Sequence, residues 1–267
     1  MDKKISIESL NIDYQKVEYE ILEFIRKIIG ETRAKGVIVG LSGGIDSSVV
    51  VILCVKALGP EKVVGLIMPD SKVTPPSDIK DAESLAVKLG IKTYTVPIDS
   101  ITRAFFKNIP LKKDRIAKAN IRARIRMTIN YFFANFLNYL VVGTGDRSEN
   151  LIGYFTKYGD GGIDFLPIAH LYKTQVKKLG EYLGLGKNII DKPSSPQLWR
   201  GQRATDEIPA DYDILDLVLY AIFDLGMDHK KIASQLNVHL KLIQEVQRRY
   251  NTSKHKREYP SMLINWI

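Results

Sequence analysis

Cysteine is nearly missing: Cys54 is the single one in 267 residues. An intramolecular disulfide is therefore impossible, and a cysteine-based zinc site, which needs several thiolates, is not expected. Cys54 lies in the apolar run Val49-Val50-Val51-Ile52-Leu53-Cys54-Val55, where a buried small side chain is expected rather than a nucleophile. Long apolar runs are missing too. No stretch of about 18 apolar residues occurs, so no membrane-crossing helix is expected. The N-terminus, Met1-Asp2-Lys3-Lys4-Ile5, has nothing like the apolar stretch of a signal peptide, and the cytoplasm is the expected location. There is no internal repeat and no low-complexity tract. Two common phosphate-binding patterns are absent as well. No lysine stands where a Walker A loop requires one. Gly143-Thr144-Gly145 starts like a dinucleotide fingerprint, yet Ser148 occupies the place of its third glycine.

What is present describes an ordinary globular chain. Apolar residues make up 45%, enough for a real core, and the length suits one large domain. The net charge of +9 favours anionic partners such as nucleotides, nucleic acid or acidic lipid without choosing among them; solubility alone also accounts for it.

Hydrophobic spacing organises the chain. Val17, Ile21, Phe24, Ile25 and Ile28 predict a helix from Tyr14 to Ile29, with Gly30 as its stop. Gly36 to Leu41 reads as a buried parallel strand, Ser47 to Leu58 as a helix and Val63 to Met68 as a second strand. A loop is expected from Pro69 to Ser77, a helix from Asp78 to Leu89 closed by Gly90, and a strand from Ile91 to Val96. A long helix from about Ile116 to Asn138 precedes a fourth strand, Leu140 to Thr144. This alternation predicts an α/β fold: a doubly wound, mostly parallel sheet with helices on both faces. Residues 145–162 and about 194–210 read as long loops, expected to be mobile or functional. Lys173 to Leu183 reads as a helix, and Asp213 to Leu225 with His229 to Tyr250 as closing helices. A single domain over residues 1–267 is expected.

The chemistry concentrates in Gly40-Leu41-Ser42-Gly43-Gly44-Ile45-Asp46-Ser47-Ser48, which follows the first strand and opens a helix. Glycines remove Cβ atoms, so backbone N–H groups can approach a ligand closely. The helix N-terminus adds donors and a favourable dipole for an anion. Phosphate or pyrophosphate is the expected guest. Asp46 has two readings, a first-turn acid that complements the dipole or a ligand of Mg²⁺.

This segment resembles the pyrophosphate loop of the ATP pyrophosphatase superfamily, whose members cut ATP between the α- and β-phosphates. More specific are Gly143-Thr144-Gly145-Asp146-Arg147-Ser148-Glu149, the stretch Gly153-Tyr154-Phe155-Thr156-Lys157-Tyr158-Gly159-Asp160-Gly161-Gly162-Ile163-Asp164, Leu171 to Val176, Asn120 to Met127 and Ser253 to Arg257. Together they resemble ammonia-dependent NAD synthetase, from about Tyr14 to Lys256. The resemblance implies an adenine nucleotide alpha hydrolase-like fold and amidation of deamido-NAD. The nicotinate carboxylate would attack the α-phosphorus of ATP, and ammonia would displace AMP from the acyl adenylate. ATP would be held by Gly40, Leu41, Ser42, Gly43, Gly44, Ile45, Asp46, Ser47, Thr144, Lys173 and Ser195, with Ser194 a rival for the last. Mg²⁺ would sit on Asp46 and Glu149, and Ser42, Asp46 and Lys173 would be catalytic. Arg122, Lys157, Asp164, His255 and Lys256 would contact deamido-NAD. A homodimer is implied, and neither nucleic acid nor membrane is an expected partner.

Plainer readings stand beside these. Lys173 near a helix start is a poor dipole partner, which suggests either a solvated lysine or a phosphate contact. Glu149 could be a solvated loop acid, and His255 and Lys256 lie in a basic tail. Arg122, Arg124 and Arg126 recur every two residues on a helix, so at most one or two face a single ligand. The apolar helix Met127 to Tyr139 suits a core or a subunit interface. A tRNA-modifying enzyme on the same loop is a rival, although such enzymes commonly carry additional cysteine pairs. The break at Asn237-Val238 resembles a helix-turn-helix, but two helices packed on the α/β domain are preferred. Glutamine-dependent relatives need an amidase domain for which the chain has no room, so free ammonia is expected unless a separate subunit supplies it.

Overall fold

The computed structural model describes residues 5–110 and 114–262; residues 1–4, read above for a leader, lie outside the described residues. Short β-branched runs form four parallel strands: β1 (Val37–Gly40), β2 (Val63–Ile67), β3 (Lys92–Thr95) and β4 (Leu140–Val142), in the order β3-β2-β1-β4. Side chains alternate between the faces, as strand geometry requires. Val37, Val39, Val63 and Ile67 enter one core with α1 (Tyr14–Thr32), α2 (Ile45–Leu58) and α7 (Lys173–Tyr182). Ile38, Val64, Leu66 and Val141 enter another, against Ile125, Ile129 and Ala134 of α5 (Arg115–Leu137). Both faces are covered, which explains why β1 and β2 read as continuous apolar runs rather than alternating ones. The doubly wound α/β expectation holds. Cys54 is buried in the first core, and burial pushes its thiol up to about 12, which removes it from nucleophilic chemistry.

A third apolar cluster closes the molecule. Leu215, Val218 and Leu219 of α9 (Tyr212–Phe223) meet Ile232 of α10 (His229–Leu236) and Ile243 and Val246 of α11 (Leu240–Thr252). Asn237, at φ 51, makes the break between α10 and α11. Their apolar stripes pack on α9 and on Leu151 and Ile152, as the closing-helix reading requires.

Several boundaries differ from the sequence reading. Gly30 does not stop α1, which runs to Thr32 and ends at Arg33 in the left-handed region. The second helix starts at Ile45 rather than Ser47, and α3 (Pro76–Leu89) begins on Pro76, whose fixed φ suits a first helical position. The helix α4 (Asp99–Asn108) had no counterpart in the sequence reading. Within residues 145–162 the chain forms α6 (Arg147–Ile152), so that stretch is not all loop. The signals are local: Asp146 accepts from the Glu149 N–H at 2.8 Å, and Gly153, at φ 66, ends the helix.

Candidate active site

Four residues, Leu41 to Gly44, carry the chain from β1 into α2. Gly43 adopts φ +75, and a Cβ there would lie 2.2 Å from the Asp78 carbonyl oxygen. The first turn of α3 therefore rests directly on the loop, and only glycine fits. Leu41 N–H donates to Leu66 O at 2.8 Å, tying the loop to β2. Inside the loop Gly44 N–H donates to Ser42 Oγ at 3.2 Å, Ser42 Oγ and Ser47 Oγ lie 3.0 Å apart, and Ser48 Oγ donates to Gly44 O at 2.8 Å. Gly44 is the N-cap of α2 and supplies no side-chain acceptor to its first-turn amides. Such a terminus suits an incoming anion.

Behind the loop sits a buried ionic cluster. Lys173 opens α7 with its side chain fully enclosed, and its Nζ lies 2.7 Å from Asp46 Oδ2, 2.8 Å from Asp146 Oδ2 and 2.9 Å from Glu149 Oε1. The Tyr212 ring covers the ammonium at 5.3 Å. Burial opposes the lysine charge, yet Asp146, Asp46 and Glu149 together hold its pKa well above the usual value. Burial raises Glu149 and Asp146 in turn, against the pull of Lys173. Three carboxylates face one ammonium, so the cluster has acid to spare. This placement corrects the solvated-lysine and solvated-acid readings of Lys173 and Glu149. Asp46, an acid of the first turn of α2, bonds Lys173 through its Oδ2. A further layer holds the cluster: Asp216 accepts from Ser148 Oγ at 2.5 Å and from Thr174 N–H at 2.8 Å, and Ser148 Oγ accepts from Lys173 N–H at 3.0 Å. Burial pushes Asp216 up to about 7.

A cleft of about 240 Å³ opens at the carboxyl ends of β1, β2 and β4. Gly40, Leu41, Ser42, Asp46, Ser47, Thr144, Glu149, Ser194 and Ser195 all line it. Gly44 and Ile45 line a neighbouring cleft that shares Ser42, Asp46 and Ser195 with the first. Lys173 lines neither and reaches the ligand space only through its acids.

The remaining expected contacts are spread out. Arg122 donates to Asp70 Oδ2 at 2.7 Å. Asp164 accepts from Val141 N–H at 2.7 Å and Tyr131 OH at 3.0 Å. Lys256 donates to the carbonyls of Gly153 and Phe155 at 2.7 and 2.8 Å. Lys157 Nζ stands 5.2 Å over the Tyr158 ring, and His255 is exposed on α12 (Lys254–Arg257). None of these five lines the cleft within one chain.

The cleft also contains residues to which the sequence assigned no site role: Arg126, Asn130, Tyr154, Asp78 and Gln197. Arg126 had a usable signal, since it lies four residues after Arg122 and shares its helix face. Asp146 had one too, as an aspartate three residues before a glutamate after a strand.

A family model described as NAD synthase matches residues 17–260. The NH(3)-dependent NAD(+) synthetase of Staphylothermus marinus is 50% identical over 263 residues, 97% of this chain and 94% of that protein. Among solved structures, the NMN synthetase of Francisella tularensis superposes with a TM-score of 0.84 at 33% identity, over 96% of this chain and all of that one. The NH3-dependent NAD synthetase of Campylobacter jejuni, solved with nitrate, gives 0.81 at 31% identity, over 95% of this chain and all of that one. With a glycine-serine loop opening α2, an acid cluster behind it, and these likenesses along nearly its whole length, the chain belongs to the NAD synthase family.

Proposed function

We propose that this protein amidates deamido-NAD with ammonia, converting ATP to AMP and pyrophosphate by way of an acyl adenylate. The observation that carries this reading is the pairing of the Ser42–Ser47 loop with the Asp46–Glu149–Lys173 cluster at one edge of the cleft. The loop amides and hydroxyls hold the leaving pyrophosphate, and Thr144 and Ser195 border the nucleotide. Preorganised donors of this kind stabilise charge as it develops, at no cost of reorganisation.

The residues present fit a divalent cation. Asp46 Oδ1 is buried without a hydrogen-bond partner, and three carboxylates share one ammonium. No group of three or more His, Cys, Asp or Glu among the described residues is arranged to hold a metal. Mg²⁺ takes one or two carboxylates and completes its shell with phosphate oxygens and water. Asp46 and Glu149 would hold it. When bound, the ion neutralises charge on the departing pyrophosphate.

Arg122, Lys157, Asp164, His255 and Lys256 take the role of deamido-NAD contacts in a homodimer, whose second copy completes the site. Support comes from α5, where Phe132 and Phe136, one helical turn apart, are 68% and 80% exposed; aromatic side chains so placed concentrate at interfaces. The site of action is the cytoplasm, in keeping with the fact that no helix among the described residues is long and apolar enough to cross a membrane.

The likeness to an NMN synthetase favours one second reading, in which nicotinate mononucleotide replaces deamido-NAD. Incubation with ATP, Mg²⁺, ammonium and either acid decides. Equimolar NAD and AMP from deamido-NAD are expected. Preference for the mononucleotide would change the substrate, and ADP with phosphate as products would sink the pyrophosphate-loop reading.

A further inference from the structure

A side chain outside the glycine-serine loop holds one of the loop's carbonyls. Lys192 Nζ donates to Gly43 O at 2.7 Å, to Asp78 Oδ1 at 2.8 Å and to Asp81 Oδ2 at 2.7 Å. Its side chain is 19% exposed and that of Asp78 only 7%. The Gly43–Gly44 peptide is trans, so its carbonyl and N–H point in opposite directions. With the carbonyl drawn to Lys192, the Gly44 N–H is turned the other way, onto Ser42 Oγ at the wall of the cleft. Were that peptide to flip, a carbonyl oxygen would face Ser42 Oγ in place of a donor.

Asp78 joins both sides of this contact. Its backbone carbonyl lies against Gly43, its Oδ1 holds Lys192, and its Oδ2 accepts from Gln197 Nε2. Gln197 belongs to the proline-containing segment that supplies Ser195 to the cleft. One lysine and one aspartate thus connect the pyrophosphate loop, the first turn of α3 and the segment across the cleft mouth.

We infer that Lys192, which lines the neighbouring cleft beside Gly44 and Asp46, is a positioning residue for the leaving pyrophosphate, acting through the Gly43–Gly44 peptide. The inference rests on the reading that ATP occupies this loop. It predicts a selective effect, because the carbonyl that Lys192 holds belongs to the loop.

The test compares Lys192→Met with Asp81→Asn, which loses one ion pair but leaves Lys192 on Gly43 O and Asp78. The measurements are KM for ATP, KM for deamido-NAD, product inhibition by inorganic pyrophosphate, and thermal melting. A charge-assisted hydrogen bond lost from the loop should raise KM for ATP and weaken pyrophosphate inhibition about tenfold in Lys192→Met, with KM for deamido-NAD and all constants of Asp81→Asn within about twofold. A merely structural ion pair would instead lower the melting temperature of both variants and leave the ratio of the two KM values unchanged; that result overturns the inference. If Lys192→Met fails to fold, Lys192→Gln replaces it, and an unchanged KM ratio there is equally fatal. Wild-type enzyme that forms no NAD from ATP would remove the underlying reading, whereas active wild type with an unselective variant removes the inference alone.

Discussion

Lys173→Met provides the sharpest test of the buried cluster. The lysine side chain has 0% exposure, as does Asp146, and Asp46 and Glu149 are only 22% and 21% exposed. Methionine matches the length and apolar volume of the stem, so the change removes charge rather than packing. It leaves three carboxylates facing one another in a site that excludes most water. Removing one partner from a buried ion pair costs about 3–5 kcal/mol, because the other charge stays behind. That is a large share of the roughly 5–15 kcal/mol that holds a typical domain together. Guanidinium unfolding in chelator-containing buffer, followed by circular dichroism, measures the loss directly. The physical cause is checked by a cycle with Glu149→Gln, which lowers the number of stranded charges. The double variant should be more stable than the sum of the single losses predicts, by about 1 kcal/mol or more. A Lys173→Met protein within about 1 kcal/mol of wild type, or strict additivity in the cycle, would refute the idea that this lysine neutralises the cluster.

Other outcomes follow from the same geometry. Asp46→Asn should raise the barrier for turnover by about 3 kcal/mol or more while the unfolding midpoint barely moves, since Asp146 and Glu149 still surround Lys173; a normal kcat would return Asp46 to a structural role. Cys54→Ala should keep full activity with a loss near 1 kcal/mol, and the native thiol, held at about 12 by burial, should stay inert to thiol reagents at pH 8 until the protein unfolds. Lys157→Ala should weaken use of deamido-NAD more than use of ATP, and an effect on ATP alone would move Lys157 to the other substrate. Hydrogen exchange should find residues 147–156 protected without ligand, because α6 is capped and Lys256 holds the carbonyls of Gly153 and Phe155. Substrate-dependent protection is then expected at Lys157, Tyr158 and Asp160 rather than at Gly159, Gly161 and Gly162, whose N–H groups already donate to Thr156 O and Gly159 O, and a gain across the whole of 145–162 would mean a larger closing element.

Sequence periodicity reached the layers of the fold and stopped at their local connections. β1 and β2 are legible because burial on both faces demands continuous apolar runs. By contrast, α4 leaves little trace in the sequence: between Asp99 and Asn108 only Thr102 is buried. The glycines around α6 obscured it, although its Asp146 cap is a plain signal. In the site, the loop residues were readable because anion binding needs glycine and a helix start in adjacent positions. Lys173 was readable as special only through its unfavourable place at a helix N-terminus. That its charge is absorbed by Asp146, Asp46 and Glu149 depends on distances across 127 and 24 residues of sequence, which no local pattern encodes. Lys192 lies still further out of reach, since its role depends on which way one peptide faces.

The strand order explains why these distant residues meet. The chain lays down β1, then β2 and β3 to one side, and returns to place β4 on the other side of β1. Consecutive connections therefore diverge between β1 and β4, leaving a crevice at their carboxyl ends, where open α/β sheets bind ligands. The segment after β1 is the glycine-serine loop with Asp46. The segment after β4 supplies Thr144, Asp146 and Glu149. Two acid-bearing segments brought side by side need a cation between them, and Lys173 supplies it from the start of α7, where it is itself pinned by Ser148 Oγ on its backbone N–H. The lysine's unfavourable position on its own helix is thus compensated by three carboxylates, one of which lies on α2 and two on or beside α6. A substitution that disturbs Lys173 acts on both crevice walls together, whereas one at Lys192 acts on the loop and on the start of α3 that rests against it. Comparing the two variants separates the cost of assembling the crevice from the cost of orienting its donors: Lys173→Met should lose stability and turnover together, and Lys192→Met should lose ATP affinity with far less loss of stability.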